Sequence, residues 1–330
     1  MGGRTYSQSG IDNRKAKRMT DNIAAMLRLS NNDTVLGPGH FAGVIRSEGK
    51  YAALHMDNVG QKVVVALHTG IIWPTGVDVV AMNVNDILCV GAKPAAFVDY
   101  IALEKQDERI VKEVLKGVIR GAKLAGVENE DCIGVVGGET SAEPNVISGY
   151  DLSGAVLGFS DSIKTGSDIA AGDSIIGLGS SGVHANGFGL IIDLIRDGKI
   201  SLDKHAKALM EPTNIYVKPV LPIFHLLSGA AHITGGSFGP KIGRVTKRGM
   251  SFRLPDPPEI FKVIEDAGVS HKEMHRVYNM GVGIVLFCPR KNEDEVLGHL
   301  AGKAKVYRLG TVTKGKQMRI TTYKDERITY

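Results

Sequence analysis

Apolar residues recur along this chain with two different periods, and the two alternate. Tyr51–His55 and Lys62–Leu67 are rich in apolar and β-branched side chains and predict two strands around a turn. Asp78–Val90 is apolar over most of its circumference, which predicts a buried helix, and Ala95–Leu103 returns to strand composition. From Glu108 onward, Ile110, Val111, Val114, Leu115, Val118, Ile119 and Ala122 repeat at three and four positions. That spacing predicts an amphipathic helix, with Asp107 as its N-cap and Gly126 as its stop. Cys132–Val136 and Leu152–Phe159 predict the next strands.

Ser160–Gly172 is polar, rich in Gly and Ser, and without periodicity, so a domain boundary is expected there. It gives a first domain of residues 1–165 and a second of 166–330. The second opens with a strand, Ser174–Leu178, running into a Gly-Ser-Ser-Gly turn. A helix through Leu190, Ile191, Leu194 and Ile195 follows, and another is expected to open at Pro212. Pro258–Ala267, stopped by Gly268, and a capping box from Ser270 to Glu273 mark further helices. Strands Gly283–Phe287 and Val306–Val312 are expected to close the domain. This alternation in both halves predicts an α/β (α+β) class and leaves strand order open.

With 43% hydrophobic and 23% charged residues, the chain is not of the disordered class. Its 41 glycines exceed the usual ~7% and fall in GG, GxG and GSSG clusters, which read as tight loops. No apolar run approaches the ~18 residues of a membrane span. The opening Met1–Ser9 lacks the apolar core of a signal peptide. A cytoplasmic protein that touches no membrane is expected. Net charge is +5, part of it in Arg14, Lys15, Lys17 and Arg18. Without interleaved aromatics that cluster reads as a solvated face, and no nucleic-acid partner is expected. Cys89, Cys132 and Cys288 are far apart, with no CxxC or Cys/His spacing. They are expected to be buried free thiols rather than a zinc site or disulfides.

The common nucleotide signatures are missing. No GK pair is followed by the hydroxyl of a P-loop, and Gly37–Gly43 matches a dinucleotide fingerprint only loosely. HExxH is absent too. What remains is a set of acids beside glycines: Asp57-Asn58-Val59-Gly60-Gln61-Lys62, Asn85-Asp86, and Gly137-Gly138-Glu139-Thr140. Any one of these acids is as readily a cap or an ion-pair partner. Asp57, Asp86 and Glu139 together read as oxygen ligands for Mg²⁺ holding ATP phosphates. In the second half, Gly179–Gly187 is a Gly/Ser turn before a helix that can present N–H groups to an anion. Thr234-Gly235-Gly236-Ser237 and Asn279–Gly283 are further turns able to cradle phosphate, whereas His225 and His275 read as packing residues.

Taken in order, Asp57-x-Val-Gly-x-Lys62, Val84-Asn85-Asp86, Gly91-Ala92-x-Pro94, Gly137-Gly138-Glu139-Thr140, Gly179–Gly182, His184-x-Asn186-Gly187, Pro212-Thr213, Thr234-Gly235-Gly236 and Asn279-x-Gly281 form a pattern. It resembles the aminoimidazole ribonucleotide synthetases, the phosphoribosylformylglycinamidine cyclo-ligases of purine biosynthesis. The resemblance runs from about Tyr6 to the C-terminal strands. It implies an N-terminal domain whose sheet closes into a barrel with a dimer mate, a C-terminal α/β sandwich, and ATP in the cleft between them. The implied reaction cyclises formylglycinamidine ribonucleotide, with ATP phosphorylating the formyl oxygen so that phosphate can leave as the ring closes. Carried over by motif, Asp57, Asp86 and Glu139 would hold Mg²⁺. Asn58, Gly60, Gly137, Gly138 and Thr140 would lie against the nucleotide, and Lys62 would meet phosphate. His184 and Asn186 would orient the formamide or shuttle a proton. Ser180, Ser181, Thr234, Gly235, Gly236, Asn279 and Gly281 would hold the substrate. The chain departs from the family's usual GTDGVGTK at His55, Met56, Asn58 and Gln61, and from its AEMPG after GGET. The alternatives are another ATP-using enzyme of the same superfamily, such as one like thiamine-monophosphate kinase or the amidotransferase, or a non-catalytic nucleotide-binding homologue.

Overall fold

The computed structural model describes residues 34–127 and 132–330, together with 18, 19, 22, 23 and 26. Arg14, Lys15 and Lys17 of the basic cluster lie outside the described residues. The first sheet has six strands: β1 (Thr34–Leu36), β2 (Gly43–Ser47), β3 (Lys50–Asn58), β4 (Lys93–Leu103), β5 (Gly134–Ala142) and β6 (Tyr150–Ser160). Their spatial order is β1-β2-β3-β6-β4-β5. Only β4 and β5 run parallel, which requires a crossover, and a helix supplies it.

One face of this sheet carries the helices. Residues 62–69 form helix α1 (Lys62–Thr69) where a strand was expected. Its Val-Val-Val run favours a strand, but Gly60 turns the chain at φ +67°, and burial of Val63, Val65 and Ala66 on one side favours the helix. Gly70 then ends it in the left-handed conformation. Helix α2 (Trp73–Leu88) is buried from Pro74 to Leu88, as its all-round apolar pattern implies. Helix α3 (Glu108–Ala125) is capped as expected: the Asp107 carboxylate accepts from the Arg109 and Ile110 N–H groups, and Gly126 follows its last turn. α2 and α3 cross with Gly76 against Gly117. A Cβ at Gly117 would lie 1.9 Å from the Trp73 carbonyl oxygen.

The second sheet begins at Ser174. Its strands are β7 (Ser174–Gly179), β8 (Gly229–His232), β9 (Gly249–Arg253), β10 (Val282–Cys288), β11 (Val306–Thr313), β12 (Met318–Thr321) and β13 (Arg327–Thr329). They lie in the order β13-β12-β9-β11-β7-β10-β8, so two strands extend the sheet beyond the expected end at Val312. Helices α4 (Phe188–Arg196), α5 (Leu202–Leu209), α6 (Val217–Val220), α7 (Phe238–Ile242), α8 (Glu259–Asp266), α9 (His271–Val277) and α10 (Glu293–Leu300) complete the mixed α/β fold. The Ser270 side chain caps α9 by accepting from the Glu273 N–H. No helix opens at Pro212. There the Thr213 N–H and hydroxyl both donate to Asp78 of α2, at 2.7 Å each, which ties the segment to α2, and the next helix opens only at Val217. Cys89 and Cys288 are buried thiols, but Cys132 is exposed just ahead of β5.

Candidate active site

The candidate site lies where α2 and the end of β3 meet the loops of the second sheet. α2 carries five polar residues in an otherwise apolar helix, and three of them reach across this seam. Asp78 accepts from Thr213, Asn85 donates to the Asn214 carbonyl at 2.8 Å and accepts from the Tyr216 N–H at 2.9 Å, and Asp86 accepts from His232. A buried polar group is costly unless it is paired, so these bonds fix the two sheets against each other.

Beside the seam is a cavity of about 250 Å³. Its first-sheet wall is Asp57, Asn58, Val59, Gly60 and Gln61, with Met82 of α2; its second-sheet wall includes Asn186, Thr234, Gly235 and Lys241. Strand alternation sends His55 and Asp57 to the helix-bearing face of β3 and leaves Leu54 and Met56 on the other. Asp86 meets them from α2, with Oδ1 2.7 Å from His232 Nδ1 and Oδ2 3.5 Å from His55 Nε2. Burial pushes the Asp57 carboxyl up, and the neighbouring Asp86 charge adds to this, against His55, the Asn58 N–H and Lys241. Burial also pushes Asp86 up, but the His232 hydrogen bond and the His232, His55 and Lys241 charges outweigh it, and the net direction is down. Lys241 faces the same two carboxylates. Burial and then Arg244 bring its ammonium down to about 8, while Asp86, Asp57 and Cys89 pull the other way.

The loops on the second-sheet side are held under strain. His184, Ser237 and Met280 adopt positive φ of 61°, 59° and 47°, a conformation costing non-glycine residues roughly 1–3 kcal/mol each. Asn186 Oδ1 accepts from the Gly235 N–H at 2.9 Å, which ties the loop before α4 to the Thr234-Gly235 turn. Its Nδ2 is buried without a partner, a donor free to meet a ligand oxygen.

Residues 39–160 match the model of the AIR synthase related protein N-terminal domain, and residues 170–322 match that of the C-terminal domain. The phosphoribosylformylglycinamidine cyclo-ligase of Saccharolobus solfataricus is 47% identical over 321 residues, 97% of each chain. The chain belongs to the phosphoribosylformylglycinamidine cyclo-ligase family. Two solved structures share its fold at low identity. A ThiL complexed with AMPPCP and TMP has a TM-score of 0.65 at 16% identity, covering 94% of this chain and 96% of its own. The hydrogenase maturation protein HypE in complex with ATP has a TM-score of 0.63 at 17% identity, covering 94% and 90%.

Within this cyclo-ligase fold, the residues singled out in sequence divide into two sets. Asp57, Asn58, Gly60, Asn186, Thr234 and Gly235 line the cavity, with Gly236 next to it and Asp86 buried behind Asp57. Gly137, Gly138, Glu139 and Thr140 do not join them. They lie within β5 rather than at a strand end, and three strand spacings separate β5 from β3, roughly 14 Å. Parity also differs: Asp57, Gly154, Asp99 and Gly138 form one cross-strand row, whereas Glu139 pairs with Tyr100 in the row of Asn58 and Ser153, on the opposite face. Among the described residues no three His, Cys, Asp or Glu side chains are grouped to hold a metal, so the expected set of Asp57, Asp86 and Glu139 reduces within one chain to its first two members.

Lys62 is elsewhere too. Its ammonium is fully buried at the seam, 2.8 Å from Asp78 Oδ2 and 2.8 Å from the Glu211 carbonyl. His184 is buried, with Nε2 accepting from the Ser181 N–H at 3.3 Å and Nδ1 unpartnered. Burial, then the charges of His232 and Lys62, hold it well below the usual imidazole range, so it is neutral. Ser180, Ser181, Asn279 and Gly281 bond within and between their loops: Ser180 donates to Asn279 Oδ1, Asn279 donates to the Gly182 carbonyl, and Ser181 donates to the Pro212 carbonyl. Two residues of this region escaped the sequence reading. Lys241 lies in a five-residue helix without a motif. Asp99 sits in a plain strand, and only the register, which places it across Gly154 from Asp57, gives it away.

Proposed function

We propose that this chain is itself a cyclo-ligase that closes formylglycinamidine ribonucleotide to aminoimidazole ribonucleotide, with ATP converted to ADP and phosphate. The observation that supports it most is the cavity at the seam, where the Asp57 carboxylate, with Asp86 buried behind it, shares the lining with Asn186, whose Nδ2 is unpartnered, and the Thr234-Gly235 turn. Two adjacent hard-oxygen donors suit Mg²⁺, which is commonly held by one or two carboxylates plus substrate phosphates. Bound there, Mg²⁺ would supply charge neutralisation for phosphoryl transfer. Asn186 Nδ2 would donate to the formyl oxygen and fix its direction, while the glycine turns let backbone approach the phosphates. Ring closure is intramolecular, so holding the attacking nitrogen near the formyl carbon contributes much of the rate. His184, neutral and buried, positions the loop that carries Asn186. We place the enzyme in the cytoplasm as a homodimer joined through the open face of the first sheet.

The test is incubation with Mg²⁺, ATP and formylglycinamidine ribonucleotide, following ADP and the aminoimidazole product. Asp57→Asn is expected to lower turnover about 100-fold or more with an unchanged circular dichroism spectrum. Near-normal turnover by that variant would remove Asp57 from the site. ATP binding without turnover by the native enzyme would favour a non-catalytic homologue.

A further inference from the structure

The Asp-x-Val-Gly-x-Lys motif led to Lys62 as the cation for phosphate, yet Lys62 is committed to Asp78 and the Glu211 carbonyl and is fully buried. Swinging it out would leave Asp78 Oδ2 without its cation in the buried seam, an uncompensated buried charge. An anion in the cavity needs another counter-charge.

Lys241 lines that cavity together with Asp57, Asn58, Asn186, Thr234 and Gly235. Among the described residues it makes no hydrogen bond and no ion pair within 4 Å. Its position is nonetheless fixed. The Thr234-Gly235 turn before α7 is tied to Asn186, and Ser237, at the head of α7, donates to the Tyr278 carbonyl at 2.6 Å. Lys241 therefore projects from a braced helix on the second-sheet side toward Asp57 of β3 and Asp86 of α2. Asp57 and Asp86 attract it and Arg244, three residues on, repels it. A divalent cation on the two carboxylates would cancel that attraction and leave the ammonium facing whatever anion the metal brings.

We propose that Lys241, rather than Lys62, is the cation that binds a phosphate oxyanion in this cavity, opposite the Asp57–Asp86 pair. The choice of anion rests on the reading of the site as a cyclo-ligase's, which offers two sources: the triphosphate of ATP and the 5′-phosphate of the ribonucleotide.

Titration calorimetry of native protein, Lys241→Met and Lys241→Arg with Mg·ATP, with AMP and with the ribonucleotide tests this without requiring turnover. A hydrogen bond to a charged group is worth about 1.5–3 kcal/mol, equivalent to roughly 10- to 150-fold in Kd. Lys241→Met is expected to weaken one phosphate ligand by that factor and to leave AMP within about twofold, and Lys241→Arg is expected to recover most of the loss. A loss confined to Mg·ATP assigns the triphosphate, and a loss confined to the ribonucleotide assigns its 5′-phosphate. Unchanged Kd for both ligands in Lys241→Met overturns the proposal. If native protein binds these ligands through Lys241 but forms no aminoimidazole, the cyclo-ligase reading fails while the assignment of Lys241 stands.

Discussion

His275 lies on α9 against the His271 ring at 4.4 Å and Tyr323, with its Nδ1 bonded to the His271 carbonyl and its Nε2 buried and unpartnered. Burial, reinforced by the His271 charge and opposed by the carbonyl bond, lowers it to about 4 from an ordinary 6.5. An unfolded chain then binds more protons than the native one between those values, so stability rises with pH across the window. The contribution is fully present above pH 6.5 and is lost as the pH falls toward 4, on the order of 3 kcal/mol for this one group. His184 and His40, both lowered chiefly by burial, act in the same direction. Urea unfolding at pH 7 and at pH 4.5 is therefore expected to show a marked loss of stability at the lower pH. His275→Phe, which cannot protonate, is expected to lose about 2 kcal/mol less. Equal losses in the two proteins would mean that the imidazole is not held neutral.

At the scale of elements, the helix crossing of α2 and α3 sets the spacing of the layer above the first sheet. Gly76 and Gly117 let the two backbones touch, and the atoms a Cβ at Gly117 would meet are main-chain atoms that cannot rotate away. Gly117→Ala is expected to cost about 1–3 kcal/mol or more, as overpacking does, despite the better helix propensity of alanine. A melting temperature within a degree of the native value would show that the crossing can open. Nothing in the sequence around Gly117 distinguishes this glycine from an ordinary helix weakness. By contrast, α3 and its Asp107 cap, the buried α2 and the strand following it were legible, because period and capping chemistry are local signals. Lys62–Thr69 was not, since three consecutive valines favour a strand and only tertiary burial reverses them. The site divided in the same way. Asp57, Asn58 and Gly60 share a turn and were read together, whereas the distance of Glu139 from them depends on strand order and parity, which no motif encodes.

At the scale of the whole molecule, the two faces of the first sheet are treated differently. The helix face is closed by α2 and α3 and leads to the cavity. The other presents Leu54 and Met56 at 59% and 68% exposure, with Val98, Tyr100, Val136 and Phe159 beside them. A contiguous apolar surface on a sheet is unusual in a protein that stays monomeric, and a second copy of the same face is a self-complementary cover for it. Glu139 points to this side with Tyr100, so a partner copy is what it would meet. Replacing Leu54 and Met56 together with glutamate places charges at the centre of the face without touching His55 or Asp57 on the helix side. The native protein is expected to sediment at twice the mass of one chain at micromolar concentration, and the double variant at the mass of a single folded chain. A native protein that sediments as a monomer, or a double variant that still pairs, would mean that this face is not where two copies join.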